Sequence, residues 1–218
     1  MEGLSQYWWQ GYENATIEVE GEDIFLSAWY LRQDDSMPWV IFVHGIRGCK
    51  SGGELMISSG MLANAGFNVI SFDLRDHGES SIDDNRVSGG QDEWKDVVAV
   101  FDWLIDEQGA VADKIGLFGT SMGAGTIAIA FSLDDRMQSV WLDSGYSDMG
   151  KIVVEELEFQ GLPTFLGPAG IFAGKISAGQ NLIEYYPLEA ASEIGDRHMY
   201  VVHCLLYTSD AADELCRG

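Results

Sequence analysis

The chain has 218 residues, and its 35 Asp and Glu against 12 Lys and Arg leave a net charge of −23. Such a surface repels nucleic-acid phosphates and anionic lipid headgroups, so neither is an expected partner. With 46% apolar residues, 7 Trp, 8 Tyr and 10 Phe the chain is too apolar for disorder, and at this length about 70% of the unfolded surface can be buried without disulfides or metals.

The start, Met1 to Trp9, has neither the basic region nor the apolar run of a signal peptide. No later run reaches the length of a membrane span. A cytoplasmic protein with no membrane association is the expectation, although the same start is compatible with an internal methionine of a longer protein. Cys49, Cys204 and Cys216 are an odd, sparse set, which argues against a disulfide framework.

In chain order, Thr16 to Glu20 and Ile24 to Leu31, separated by Gly21-Glu22-Asp23, predict a hairpin. Trp39 to Val43 is a continuous apolar run of the kind that a strand buried on both faces needs. A helix is expected from Glu54 to Ala65 with Gly66 as its stop, and then a strand from Phe67 to Leu74. Trp94, Val97, Val98, Phe101, Leu104 and Ile105 form one apolar helical face within Gln91 to Gln108. Lys114 to Gly119 predicts a strand, Gly123 to Leu133 a helix of small residues, and Ser139 to Leu142 and Met199 to His203 two more strands. This alternation specifies an α/β fold, a mostly parallel, doubly wound sheet with helices on both faces. Between Gly145 and Arg197 the spacing is less regular. Pro163, Pro168 and several glycines break it into short pieces, and its length exceeds what a crossover needs. An insertion over about 145–197, acting as a lid on the sheet's C-terminal edge, is expected.

Three segments carry chemistry. Gly119-Thr120-Ser121-Met122-Gly123 lies between a strand and a helix, the context of a strained turn that projects a serine hydroxyl from the sheet edge. The glycines let backbone pass closely on either side, and the helix N-terminus behind Ser121 favours developing negative charge. Val43-His44-Gly45-Ile46-Arg47-Gly48 ends another strand; its loop can bring the Ile46 N–H beside the serine, to pair with the Met122 N–H as an oxyanion hole. The His44 side chain is expected to bond the loop backbone. The third segment is Asp73-Leu74-Arg75-Asp76-His77-Gly78-Glu79-Ser80.

Together these segments resemble, in order and spacing, the α/β-hydrolase superfamily, most closely bacterial esterases and serine aminopeptidases, over about residues 16–203. The resemblance implies Ser121 as nucleophile, Ile46 and Met122 as oxyanion donors, and loop-ordering roles for Asp73, Arg75 and His77. It implies no cofactor, and a small-molecule or short-peptide acyl substrate with an ester, thioester or amide bond; no metal is expected either, because His198 and His203 have no Cys or acidic partner at metal-ligand spacing. The alternative is a non-catalytic binding module on the same fold.

The family order of serine, acid, histidine is not completed. After His203 the chain reads Cys204-Leu205-Leu206-Tyr207-Thr208-Ser209-Asp210, a string that resembles the translation of a transposon-end sequencing adapter. Native sequence is therefore expected to stop near His203, with residues 204–218 a foreign tail and the last strand and helix of the fold missing. Asp143, at the end of a strand, is either the acid or a carboxylate bonding its own loop. Cys49 reads as an inert thiol, and Asp83-Asp84, Asp134-Asp135 and Glu155-Glu156 as solvated surface. Nothing in the sequence sets the oligomeric state.

Overall fold

The computed structural model describes residues 9–178 and 181–203. Seven strands form one sheet in the order β1-β2-β4-β3-β5-β6-β7. The hairpin is β1 (Glu13–Glu18) and β2 (Phe25–Leu31), antiparallel to each other, and β2 is antiparallel to β4 (Asn68–Phe72). Every other pairing is parallel, through β3 (Trp39–Val43), β5 (Ile115–Thr120), β6 (Ser139–Asp143) and β7 (His198–Val202). The expected mostly parallel α/β sheet is the one observed. β4 is buried along its whole length, as a strand covered on both faces must be.

Helices cover both faces. α1 (Gly53–Asn64) packs Leu55, Met56 and Ala63 onto Phe42 and Val69. On the opposite face α2 (Trp94–Asp106) and α3 (Met122–Leu133) cover the larger core, where Ile41, Ile70, Leu117 and Val140 are neighbours in register across four strands. The apolar stripe of α2 buries Val97, Val100, Phe101 and Leu104. From Met122 to Phe131 every residue of α3 is buried, because the helix is sandwiched between sheet and α2, and its small residues allow the close approach.

The segment after β6 departs from the expected short pieces. It holds α4 (Met149–Phe159), a 3-10 turn (Thr164–Leu166), α5 (Gly167–Ala178) and α6 (Glu189–Ser192). Its prolines mark helix starts rather than breaks. Pro163 precedes the 3-10 turn, and Pro168 sits in the first turn of α5, where a missing N–H costs nothing. Gly161, at φ 71°, closes α4, with the Leu162 N–H donating 2.8 Å to the Leu157 carbonyl. Among the paired acids, Asp134 is not simply solvated, since it holds Arg136 in a two-pronged ion pair with Nη2 to Oδ2 at 2.6 Å. The 204–218 tail lies outside the described residues.

Candidate active site

The loops after β3, β4, β5 and β6 gather at the C-terminal edge of the sheet, where ligands of open α/β sheets bind. Ser121 stands between β5 and α3 with φ 51° and ψ −119°, a conformation that costs an L-residue on the order of 1–3 kcal/mol and survives only where neighbours impose it. The neighbours are visible. A Cβ on Gly123 would lie 2.3 Å from the Val43 carbonyl oxygen, and one on Gly119 would lie 2.6 Å from the Gly123 backbone. Only glycine allows β5, the turn and β3 to touch this way. The Ser121 N–H donates 2.8 Å to the Asp143 carbonyl, tying the turn to β6. The side chain is exposed.

The loop after β3 passes beside it. A Cβ on Gly45 would lie 3.1 Å from the Ser121 Cβ and 3.7 Å from its Oγ. Ile46 and Met122 both line the same cavity as Ser121, a space of about 830 Å³. The Met122 N–H belongs to the first turn of α3, whose N–H groups have no intrahelical acceptor and carry the positive end of the helix dipole.

His44 holds this loop in place. Its Nδ1–H donates to the Gly45 carbonyl at 2.8 Å, and its Nε2 accepts the Leu74 N–H at 3.1 Å. A carbonyl can only accept and an N–H only donate, so the ring is neutral with its proton on Nδ1. Burial pushes its pKa down to about 4. His77 donates Nδ1–H to the Arg75 carbonyl at 2.8 Å, and its ring packs 4.9 Å from that of His44.

The Asp-x-Arg segment makes two buried ionic clusters that brace the site. Asp73 accepts the Lys50 N–H at 2.6 Å, the Lys50 ammonium at 2.7 Å and the Glu79 N–H at 2.9 Å. Arg75 clamps Asp96 through Nε at 2.9 Å and Nη2 at 2.7 Å, and reaches Glu22 through Nη1 at 2.8 Å. Sequence reasoning passed over Lys50 and Asp96, which are 3% and 0% exposed. Lys50 follows a loop cysteine and Asp96 sits on an amphipathic helix, so neither position announces a buried partner. Tyr146, also unflagged, lines the cavity and donates its hydroxyl to the Gly89 carbonyl; burial raises its pKa.

Asp143 and Ser121 are not brought together by their side chains. The Asp143 carboxylate accepts the Ser144 hydroxyl at 2.8 Å, and the residue is not among those lining the cavity. His203 does line it. Cys49 is half-buried, with Sγ 3.3 Å from the Ser51 Oγ. Among the described residues no group of three or more His, Cys, Asp or Glu is placed to hold a metal ion. No helix among them is long and apolar enough to cross a membrane.

Known proteins resemble this chain in sequence or in fold. An uncharacterized 31.7 kDa protein of Escherichia coli is 28% identical over 138 residues, which are 63% of this chain and 48% of that protein. The chain thus spans about half the length of the curated relatives it matches. An esterase of Pyrococcus furiosus superposes with a TM-score of 0.62 at 25% identity, covering 87% of this chain and 67% of its own. The α/β-hydrolase GrgF of Penicillium reaches a TM-score of 0.71 at 14% identity, over 95% and 85% of the two chains. Ferulic-acid-bound Est1E of Butyrivibrio proteoclasticus gives 0.57 at 18%, over 65% and 56%. Residues 38–173 match the alpha/beta hydrolase fold family, and with that match over more than half its length the chain belongs to this family.

Proposed function

We propose that the parent of this chain is a serine hydrolase of ester, thioester or amide bonds, with Ser121 as nucleophile. The observation that carries the reading is the backbone of Ser121, held at φ 51° and ψ −119° with its side chain open to a cavity of about 830 Å³. In this reaction the Ser121 Oγ attacks the substrate carbonyl, and the Ile46 and Met122 N–H groups hold the oxyanion that forms. The esterase among the structural neighbours supports the same class.

A serine hydroxyl needs a base to accept its proton. Both ring nitrogens of His44 are taken by main-chain groups, and neither His44 nor His77 lines the Ser121 cavity, so neither is placed for that role. We place the base and the orienting acid in the parent beyond residue 203, and the insertion over about 145–197 as a lid. The second reading, a binding module, draws on this same placement of His44 and His77 outside the cavity lining. Losing the base from such a triad costs on the order of 10⁶ in turnover. Fluorophosphonate labelling of the 218-residue chain is therefore expected to be slow, and labelling of a chain with its native C-terminus rapid and abolished by Ser121→Ala. A restored chain that neither labels nor hydrolyses an ester, thioester or aminoacyl substrate would establish the binding module instead. Equal labelling of both chains would make His77 or His203, of which His203 lines the cavity, the base.

A further inference from the structure

Gln91 is 6% exposed, and the reaction as derived leaves it unused. It stands in the loop between β4 and α2, which turns at Gly89 and Gly90 with φ 68° and 90°, values that glycine adopts without strain. Glu93, 1% exposed, holds this loop from within: its carboxylate accepts the Ser88 N–H at 2.9 Å, the Gly90 N–H at 2.8 Å and the Ser88 hydroxyl. The loop is seated on α3, since a Cβ on Gly90 would lie 3.1 Å from the Thr126 Oγ1 and 3.2 Å from the Ile129 Cδ1. From this fixed post the Gln91 side chain reaches 94 positions along the chain. Its Oε1 accepts the Tyr185 N–H at 2.8 Å and the Glu184 N–H at 3.1 Å, and its Nε2 donates to the Tyr185 carbonyl at 2.9 Å. A main-chain N–H only donates and a carbonyl only accepts, so the amide has one orientation. Tyr146, on the outgoing stem of the insertion, donates to Gly89 of the same loop, and the Leu188 N–H donates 3.2 Å to the Ser147 carbonyl. Both stems of the insertion thus meet one loop and each other.

We propose that Gln91 is a positioning residue for the apolar part of the substrate. The inference rests on the reading of the Ser121 cavity as a substrate site, which it deepens. Gln91 does not line the cavity, but Leu182, Pro187, Leu188 and Ala191, on either side of the peptide it grips, do. Tyr185 lies in no helix or strand, so the amide takes the place of a ladder partner for its N–H and carbonyl. Without it those groups, and the buried amide itself, would lack partners at a cost. The wall placed in this way is uncharged, whereas Asp148, Lys151 and Glu155, the acidic and basic residues among the described lining, all belong to the outgoing stem and α4. The part of the substrate that meets the returning stem is therefore apolar, and an acyl group too short to reach it does not register the wall. Each buried methylene raises affinity about fourfold, so longer acyl chains should bind progressively more tightly, and that gain should depend on Gln91.

The test compares nitrophenyl acetate with nitrophenyl octanoate in the chain with its native C-terminus. Gln91→Met keeps the side-chain length and removes the hydrogen bonds. It should raise KM for the octanoate at least about tenfold, with KM for the acetate and kcat for both within about twofold. An unchanged octanoate KM, a loss shared equally by both esters, or a loss in kcat alone overturns the proposal. Gln160→Ala, at an exposed glutamine on the end of α4, should change nothing. Two readouts on the 218-residue chain stand apart from hydrolysis. With Ser121→Ala to remove chemistry, the octanoate should bind, and adding Gln91→Met should weaken its Kd by the same factor as KM. That result in a protein whose restored form turns over no ester would end the hydrolase reading and leave Gln91 its role, whereas turnover with a KM and Kd indifferent to Gln91→Met would do the reverse. The Tyr185 amide should also exchange with solvent at least about tenfold more slowly in the unmodified chain than in Gln91→Met. If that variant does not fold, fast Tyr185 exchange in the unmodified chain still overturns the proposal, as does a Leu188→Ala chain that binds the octanoate unchanged.

Discussion

Two rows of side chains cross the central strands in the same register and meet different fates. On one face Ile41, Leu117 and Val140 are 0%, 2% and 1% exposed. On the other, Phe42, Phe118, Trp141 and Tyr200 form a ladder with successive ring centroids 5.3, 6.3 and 5.9 Å apart. That ladder begins at 0% exposure under α1 and ends at 41% and 56% on Trp141 and Tyr200. All seven side chains come from apolar strands. What separates the rows is cover: α2 and α3 close the first face, whereas α1 reaches only the β3 and β4 end of the second. A strand's composition records that it is meant to be buried, and only the elements packed on it decide whether it is.

The closed face should break hardest at its tightest crossing. Gly123→Ala places a Cβ 2.3 Å from the Val43 carbonyl oxygen, and because the obstacle is backbone the change should cost about 4 kcal/mol or more, read as loss of soluble, cooperatively melting protein. Leu117→Ala, at 2% exposure, should cost about 3 kcal/mol in urea unfolding. If Trp141→Ala costs as much, the second row is covered in solution and the contrast fails.

Acid should weaken the closed side through His44. Its folded pKa of about 4 lies below the unfolded value near 6.5, so on acidification the unfolded chain takes up the proton first. The stabilisation is complete above about pH 6.5 and is lost progressively as pH falls through 4, amounting to about 3 kcal/mol across that window. Urea midpoints between pH 7.5 and pH 4.5 should therefore fall further in the unmodified chain than in His44→Gln. Equal slopes would mean that the imidazole is solvated.

The open end should respond least in stability and most in association. β7 pairs with β6 on one side and exposes Tyr200, Val201 and Val202, and exposed apolar edges template pairing between chains. Tyr200→Lys should change unfolding free energy by less than about 0.5 kcal/mol while lowering hydrophobic-dye binding and light scattering. An unmodified chain that is a monodisperse monomer and binds no dye would show that this edge is protected.

The order of strands and helices was legible from residue pattern alone, because hydrophobic period and glycine stops are local properties. The β5–α3 turn was legible for the same reason: Gly119, Ser121 and Gly123 sit within five residues, and the constraint among them is short-range. The insertion was read less well, since Pro163 and Pro168 look like breakers until their places at helix starts are seen. The pairings that brace the site were decided only by tertiary structure. Lys50 meets Asp73, Arg75 meets Asp96 and Glu22, and Tyr146 meets the Gly89 carbonyl, each across a separation that no periodicity encodes. The outward stripe of α5 belongs with them. Phe172 and Ile176 are 64% and 71% exposed while Ile171 lies against α4, a division that apolar composition does not encode.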